Sequence, residues 1–125
     1  MSDCRIILVD DHTLFRGGLR GLLDRYEGFR VVGEAGSGEE LLERIGEWQA
    51  DVVFMDIAMP GMGGAEATQR LLALRPQWRV ITLSMFGDEH YYQRMVEAGA
   101  RGFLLKDSPV SYTHLRAHET PEHLV

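Results

Sequence analysis

The sequence predicts an α/β fold, a doubly wound five-stranded parallel sheet with helices on both faces. Strands inside such a sheet are almost continuously apolar because helices cover both of their faces. Four short runs have this character: 5–9, 51–55, 80–83 and Gly102–Leu105. A weaker run, 29–32, ends at Gly33 and predicts a fifth strand. The segments between these runs have helical spacing, and this β-α alternation predicts right-handed crossover connections.

Four amphipathic helices are predicted between the strands. The first has an apolar stripe made of Leu14, Phe15, Leu19, Leu22 and Leu23. The second follows Ser37, a predicted N-cap, with a stripe made of Leu41, Leu42, Ile45 and Trp48. The third covers 65–74 and stops before Pro76, and the fourth covers 89–98 and stops at Gly99. Gly17 and Gly18 lie inside the first helix, where close approach of a neighbouring element or fraying would explain them.

Size and charge limit what the chain does. At 125 residues and 14.1 kDa it is long enough for one domain with a real core and too short for two. A formal net charge of −6 makes it a poor nucleic-acid binder, because phosphate neutralisation needs clustered Lys and Arg. A single cysteine, Cys4, excludes an internal disulfide, and the N-terminus does not resemble a signal segment. We therefore expect a cytoplasmic protein that does not contact the membrane.

Polar residues follow four of the predicted strands, and they are Asp10 and Asp11, Asp56, Ser84 and Lys106. Because the carboxyl ends of parallel strands share one edge of the sheet, these residues are expected to converge there. Carboxylates about 4 Å apart repel each other by roughly 4 kcal/mol per pair at an effective dielectric of 20. A divalent cation would offset that repulsion, and oxygen ligands favour Mg²⁺.

Asp10 and Asp11 thus predict half of an Mg²⁺ site. Asp56 is then free to act as a nucleophile toward a phosphoryl group and form an acyl phosphate. Lys106 and Ser84 would supply a positive charge and a hydrogen bond to the phosphoryl oxygens. A solvated loop explains any one of these positions by itself, but five of them at one edge favour a site.

Four motifs, "ILVDDH", "VVFMDIAMPGMGG", "VITLSM" and "ARGFLLKD", resemble the receiver (CheY-like) domain of bacterial two-component response regulators. The stretch "DDHTLFRGGLRGLL" resembles the LuxR-type (NarL/FixJ) subfamily, which carries a C-terminal helix-turn-helix. The resemblance covers about 4–109 and implies strand order 2-1-3-4-5. It implies that Asp56 is the phosphoacceptor and that the Mg²⁺ ligands are Asp10, Asp11, Asp56 and the backbone carbonyl of Ala58. It places Lys106 at the site lysine and Ser84 and Phe103 at the two switch positions.

The same resemblance implies a function and partners. A sensor histidine kinase donates the phosphoryl group, and the receiver catalyses its own phosphorylation and dephosphorylation but is not otherwise an enzyme. Phosphorylation then remodels the face made by the fourth helix, fifth strand and fifth helix, through which a homodimer is one expected assembly. DNA would be contacted only by an effector domain outside this chain. Gly63, where the family often has Asp or Asn, is expected to weaken the cap of the third helix by a few tenths of a kcal/mol.

The segment after Pro109 does not continue the pattern. A receiver needs a fifth amphipathic helix there, but "VSYTHLRAHETPEHLV" has no helical stripe, and Pro121 would interrupt a helix. Translated in one frame, a transposon-derived adapter used for sequencing libraries gives the residues 110–120. We therefore expect 1–109 to be the receiver domain and 110–125 to be a non-native tail, poorly packed, that replaces the fifth helix.

Other functions fit the sequence less well. A phosphorylation-independent module of receiver shape would usually have lost a site residue, and all five are present. A phosphohydrolase of the haloacid-dehalogenase type needs an Asp two residues after its nucleophile, where this chain has Ala58. A nucleotide- or flavin-binding domain is weaker still, because no glycine-rich loop follows the first strand.

Overall fold

The computed structural model describes residues 3–85 and 88–106. Strands and helices alternate in the order β1 (Cys4–Val9), α1 (Thr13–Asp24), β2 (Phe29–Ala35), α2 (Gly38–Arg44), β3 (Val52–Asp56), α3 (Gly64–Leu74), β4 (Arg79–Ser84), α4 (Tyr92–Ala98) and β5 (Gly102–Leu105). Short 3-10 turns follow α2, at Ile45–Glu47, and precede α4, at Glu89–Tyr91. All strand pairs are parallel, in the order β2-β1-β3-β4-β5. The predicted sheet is confirmed, and the predicted tail, 110–125, lies outside the described residues.

The sheet buries apolar side chains on both faces, as the continuous runs predict. On one face α1 inserts Leu19 and Leu23 among side chains from all five strands. On the other face α2, α3 and α4 cover a larger cluster, to which they contribute Leu41, Leu71 and Met95. Core packing on both faces therefore fixes the position of each strand in the sheet. It thereby also fixes the residues at the strand ends.

The predicted end of β2 at Gly33 is wrong. The strand continues to Ala35, with a register shift against β1 between Ile6 and Ile7. A Cβ atom on Gly33 would lie 2.3 Å from Cε2 of Trp48, so the glycine lets the indole lie directly on the strand. Glycine at this point reflects close packing of a side chain and not a turn.

Two residues assigned to the predicted helical stripes lie elsewhere in the structure. Leu14 is 92% exposed and does not join the core with Leu19 and Leu23. Trp48 lies beyond α2 and its 3-10 turn, in extended backbone, because its indole packs on β2. A Cβ at Gly17 or Gly18 would meet no atom of the described chain within 4 Å, which removes close approach as the reason for these glycines.

The helix ends follow from local chemistry. The Ser37 hydroxyl accepts a hydrogen bond from the Glu40 N–H at 3.0 Å, which confirms the predicted N-cap of α2. Gly99 ends α4 with φ of +117°, a conformation that favours glycine. Gly63 precedes α3 without a side-chain cap, as expected. Within 3–85 and 88–106, no helix has both the length and the apolar character needed to span a membrane.

Candidate functional site

The carboxyl edge of the sheet gathers the predicted polar residues. Asp10 follows β1 and Lys106 follows β5, whereas Asp56 and Ser84 are the last residues of β3 and β4. These four side chains are buried, and Asp11 is exposed. The backbone also links the neighbouring strand ends, because Lys106 N–H donates to the Ser84 carbonyl at 2.7 Å. Four strands thus deliver one hydroxyl, one ammonium and three carboxylates to one place.

Lys106 lies at the centre of this group and is the only lysine in the chain. Its Nζ atom lies 2.9 Å from Asp10 Oδ2 and 3.4 Å from Asp56 Oδ2. The Oδ2 atom of Asp10 makes this ion pair but no hydrogen bond to any residue the structure describes. A single buried cation therefore bridges two buried carboxylates, and one of those carboxylates has unused acceptor capacity.

His12 is a site residue that the sequence reasoning missed. Its Nδ1 atom lies 2.8 Å from Lys106 Nζ, 3.0 Å from Asp10 Oδ1 and 3.9 Å from Asp56 Oδ2. Because an ammonium only donates, Nδ1 is the acceptor in the contact with Lys106. Its backbone N–H donates to Asp10 Oδ1 at 2.8 Å. The signal in the sequence is its position directly after the two aspartates, but the convergence of strand ends does not by itself include His12.

The donor atoms of this edge fit a metal ion. Asp10, Asp11, His12 and Asp56 each offer one ligand atom, and these atoms lie within 4.8 Å of one another. Burial and the neighbouring Asp10 carboxylate raise the pKa of Asp56 to about 7, although Lys106 opposes them. Burial is the larger cause of this raised pKa, and the repulsion from the Asp10 carboxylate adds to it. Carboxylate oxygens beside a buried acceptor without a hydrogen bond suit a hard divalent cation such as Mg²⁺.

Ala58, whose carbonyl was expected to complete the metal site, is exposed in the loop after β3. Its N–H donates to Asp56 Oδ1 at 3.4 Å, which orients the carboxylate. Gly64, the first residue of α3, contacts the same loop because its N–H donates to the Ile57 carbonyl at 3.3 Å, and it was also missed. A Cβ at Gly64 would lie 2.3 Å from the backbone oxygen of Asp56, so α3 approaches Asp56 this closely only because the residue is glycine.

Arg16 on α1 holds the opposite side of the site. Its Nη1 donates to the backbone oxygen of Asp10, and its Nε donates to Glu34 Oε1 at 2.7 Å. Arg20 also donates to Glu34. Burial alone would raise the pKa of Glu34, but the hydrogen bonds from Arg20 and Arg16 lower it overall. The network ties the loop that carries Asp10 to strand β2.

The two predicted switch residues lie on neighbouring strands. Ser84 is fully buried, and its hydroxyl lies 3.3 Å from the hydroxyl of Tyr92. Phe103 on β5 is partly buried, with its ring centroid 4.3 Å from that of Tyr92. Tyr92, which the sequence reasoning did not single out, therefore contacts both residues.

The comparisons with known proteins agree with this geometry. Residues 6–118 match the response regulator receiver domain family. The chain belongs to this family. The resemblance stated from the sequence motifs is confirmed, and the match extends past Pro109 into the segment assigned above to a tail, whose origin stays a prediction.

Receiver-domain relatives are similar over most of this chain. The response regulator GacA of Pseudomonas viridiflava is 42% identical over 102 residues, which are 82% of this chain and 48% of the relative. The response regulator UvrY of Escherichia coli is 39% identical over 101 residues, 81% of this chain and 46% of the relative. The chain thus spans about half the length of these curated relatives.

Solved structures of receivers have the same fold. A LuxR-family response regulator from Aurantimonas has a TM-score of 0.81 at 35% identity, covering 93% of this chain and 81% of that one. The receiver domain of the response regulator NarL from Mycobacterium tuberculosis has a TM-score of 0.80 at 33% identity, covering 95% and 96%. The chain is a receiver domain of a two-component response regulator.

Proposed function

We propose that this receiver domain accepts a phosphoryl group on Asp56. The observation that carries the proposal is the position of Lys106 Nζ, 3.4 Å from Asp56 Oδ2 and 2.9 Å from Asp10 Oδ2. A buried ammonium beside the nucleophile stabilises charge that develops on phosphoryl oxygens. Burial, together with the neighbouring Asp10 carboxylate, explains why the Asp56 carboxylate needs a cation to be ionised and reactive at neutral pH.

The residues have separate roles in the proposed transfer. Asp10, Asp11 and Asp56, with the Ala58 carbonyl, would hold Mg²⁺, which when bound neutralises charge on the phosphoryl oxygens. An Asp56 oxygen attacks phosphorus, and the bond from phosphorus to the donor breaks as the new bond forms. Lys106 then pairs with a phosphoryl oxygen.

Ser84 is proposed to donate a hydrogen bond from its hydroxyl to another phosphoryl oxygen. Phe103 on the next strand has no hydroxyl, so a change in its position would be stabilised by burial alone. Ser84 and Phe103 together would report phosphorylation to the face formed by α4 and β5.

The partners belong to the same proposal. We expect a sensor histidine kinase as the phosphodonor and a cytoplasmic location, both on the strength of family membership. Because the curated relatives are about twice as long and one is named a transcriptional regulatory protein, we expect DNA to be contacted by an effector domain and not by this acidic chain. A homodimer through the α4–β5 face is a further expectation.

We also propose that residues 110–125 are not native. Residues 110–120 equal a translated sequencing adapter throughout, and the sequence ahead of them is ordinary receiver sequence. Recovery of the genomic locus tests the idea directly. A different native sequence after Pro109 is the expected result, and a genome that encodes this same tail would contradict it.

The phosphorylation proposal is tested by intact mass after incubation with acetyl phosphate and Mg²⁺. We expect a gain of about 80 Da, one phosphoryl group, in the wild type and no gain in Asp56→Asn. The matched control is Glu43→Gln, which removes one carboxylate from an exposed position on α2 and should be phosphorylated normally. A wild type that is folded by circular dichroism and gains no mass would contradict the proposal and favour a phosphorylation-independent module.

A further inference from the structure

The hydroxyl of Ser84 already has a partner in this structure. Its Oγ lies 3.3 Å from the Tyr92 hydroxyl, within hydrogen-bond distance, and either group can donate. Ser84 is completely buried at the end of β4, whereas Tyr92 is partly buried, so the bond as a whole is partly buried. Tyr92 is the first residue of α4 and packs against the larger core cluster. The bond therefore connects the strand end at the site to a different element.

Tyr92 also contacts the second predicted switch residue. Its ring lies against that of Phe103, with centroids 4.3 Å apart and planes inclined by 31°. Contacts between aromatic rings stabilise a defined ring arrangement beyond simple burial. A phenylalanine at 103 has no hydroxyl of its own, so among these three side chains the hydroxyl facing Ser84 comes from Tyr92. One side chain thus couples to Ser84 by a hydrogen bond and to Phe103 by its ring.

A serine hydroxyl has one hydrogen to donate. When Ser84 is the donor to Tyr92, that hydrogen bond must break if Ser84 donates instead to a phosphoryl oxygen on Asp56, as the proposed function requires. The free energy of that bond then counts against the phosphorylated arrangement. Loss of the bond also frees the Tyr92 ring, which contacts the ring of Phe103, to move.

We propose that Tyr92 is a positioning residue that holds the Ser84 hydroxyl in the unphosphorylated receiver and is released when Ser84 turns to the phosphoryl group. The inference rests on the proposed function of Asp56 and Ser84. It adds a residue from α4 to the switch. The hydrogen bond between Tyr92 and Ser84 stabilises the unphosphorylated state. Because Tyr92 belongs to α4, loss of that bond acts directly on the face formed by α4 and β5.

The test measures the affinity for BeF₃⁻, a phosphomimetic, in the presence of Mg²⁺, by ¹⁹F NMR titration. Tyr92→Phe keeps the ring and removes the hydroxyl, so it should bind BeF₃⁻ about 2- to 10-fold more tightly, since a hydrogen bond of this kind contributes roughly that factor. In a Ser84→Ala background the same change should have no effect. Tyr91→Phe is the matched control, because Tyr91 precedes it on the 3-10 turn, is 38% exposed and should leave the affinity unchanged.

A double-mutant cycle separates this coupling from a structural effect of Tyr92. An equal effect of Tyr92→Phe with and without the Ser84 hydroxyl, or weaker binding in the single variant, would overturn the inference while leaving the proposed function intact. A folded wild type that does not bind BeF₃⁻ at all would overturn both.

A second measurement leaves Tyr92 unchanged and so does not depend on whether the Tyr92→Phe variant folds. The Tyr92 ring resonances should shift when BeF₃⁻ and Mg²⁺ are added to the wild type. They should shift much less in Ser84→Ala at saturating BeF₃⁻. Equal shifts in both proteins would contradict the proposed connection.

Discussion

The ammonium of Lys106 lies 2.9 Å from Oδ2 of Asp10, with side chains that are 4% and 1% exposed. Asp10 follows β1 and Lys106 follows β5, and both β3 and β4 lie between these strands in the sheet. The lysine side chain therefore crosses the carboxyl edge above Asp56, where it also lies 3.4 Å from that carboxylate. This ion pair fixes the position of the positive charge beside Asp56.

Removal of that charge should destabilise the fold. In Lys106→Met two buried carboxylates lose their cation, and breaking a buried pair typically costs about 3 to 5 kcal/mol. We expect a loss of about 2 to 4 kcal/mol in the free energy of unfolding, since protonation of Asp56 relieves part of the repulsion. Urea unfolding at pH 7.5 with a chelator measures it. Arg94→Met removes the same charge from an exposed position on α4, and equal effects of the two variants would contradict the account.

Mg²⁺ should stabilise the folded chain through the acidic residues. A ligand that binds only the folded state adds RT ln(1 + [L]/Kd), about 1.4 kcal/mol when Mg²⁺ is at ten times its Kd. In Asp11→Asn, which keeps the shape of the exposed side chain, we expect most of that gain to disappear. This loss is checked by thermal unfolding without Mg²⁺ and with Mg²⁺ at about ten times the wild-type Kd. The same Mg²⁺ gain in Asp11→Asn as in the control Glu43→Gln would contradict the assignment.

The raised pKa of Asp56 predicts how stability depends on pH in metal-free solution. Between its ordinary value of 3.8 and its value of about 7 in the fold, the folded chain holds a proton that the unfolded chain has released. Stability therefore falls as pH rises through this range, and the loss is complete above pH 7. Asp56→Asn does not ionise and so escapes this loss.

We expect Asp56→Asn to be more stable than the wild type by roughly 1 to 3 kcal/mol at pH 8, since one pKa unit equals about 1.4 kcal/mol and relaxation absorbs part of it. The difference should shrink toward zero at pH 4. Urea unfolding in chelator at both pH values measures it. A stability difference that is the same at pH 4 and pH 8 would show that the fold does not raise the pKa of Asp56.

Gly64 should be required for the position of Asp56. A Cβ there would lie 2.3 Å from the Asp56 backbone oxygen and 3.0 Å from the Cα of Ile57, and backbone cannot move away as a flexible side chain can. Gly64→Ala is expected to cost about 1 to 3 kcal/mol of stability and to slow phosphorylation from acetyl phosphate. At neighbouring Gly63 a Cβ meets no described atom within 4 Å. Gly63→Ser should change stability by less than about 0.5 kcal/mol, and a comparable cost at both positions would contradict this reading.

Much of this site was predictable because strand C-termini in a parallel sheet share an edge. Short apolar runs located the strands, and the polar residue after each run located Asp10, Asp56, Ser84 and Lys106. The structure places Asp56 and Ser84 one residue earlier than expected, inside their strands. Both side chains still lie at the carboxyl edge of the sheet.

The residues that the sequence did not reveal act through packing or through contacts between distant elements. The sequence predicts a strand end at Gly33, because a glycine that makes room for Trp48 cannot be told from a turn glycine in the sequence. Leu14 fits the spacing of α1 yet faces outward, since one turn of helix does not define which side meets the sheet. His12 and Tyr92 join the site only through tertiary contacts with Lys106 and Ser84.

The most direct test of the central claim identifies the phosphorylated residue. After treatment with acetyl phosphate and Mg²⁺, sodium borohydride reduces an aspartyl phosphate to homoserine, and peptide mass mapping then locates the converted residue. The account predicts homoserine at position 56, none at 10 or 11, and no conversion when Mg²⁺ is chelated. Conversion at another aspartate, or a stable phosphoryl group that borohydride does not remove, would contradict it.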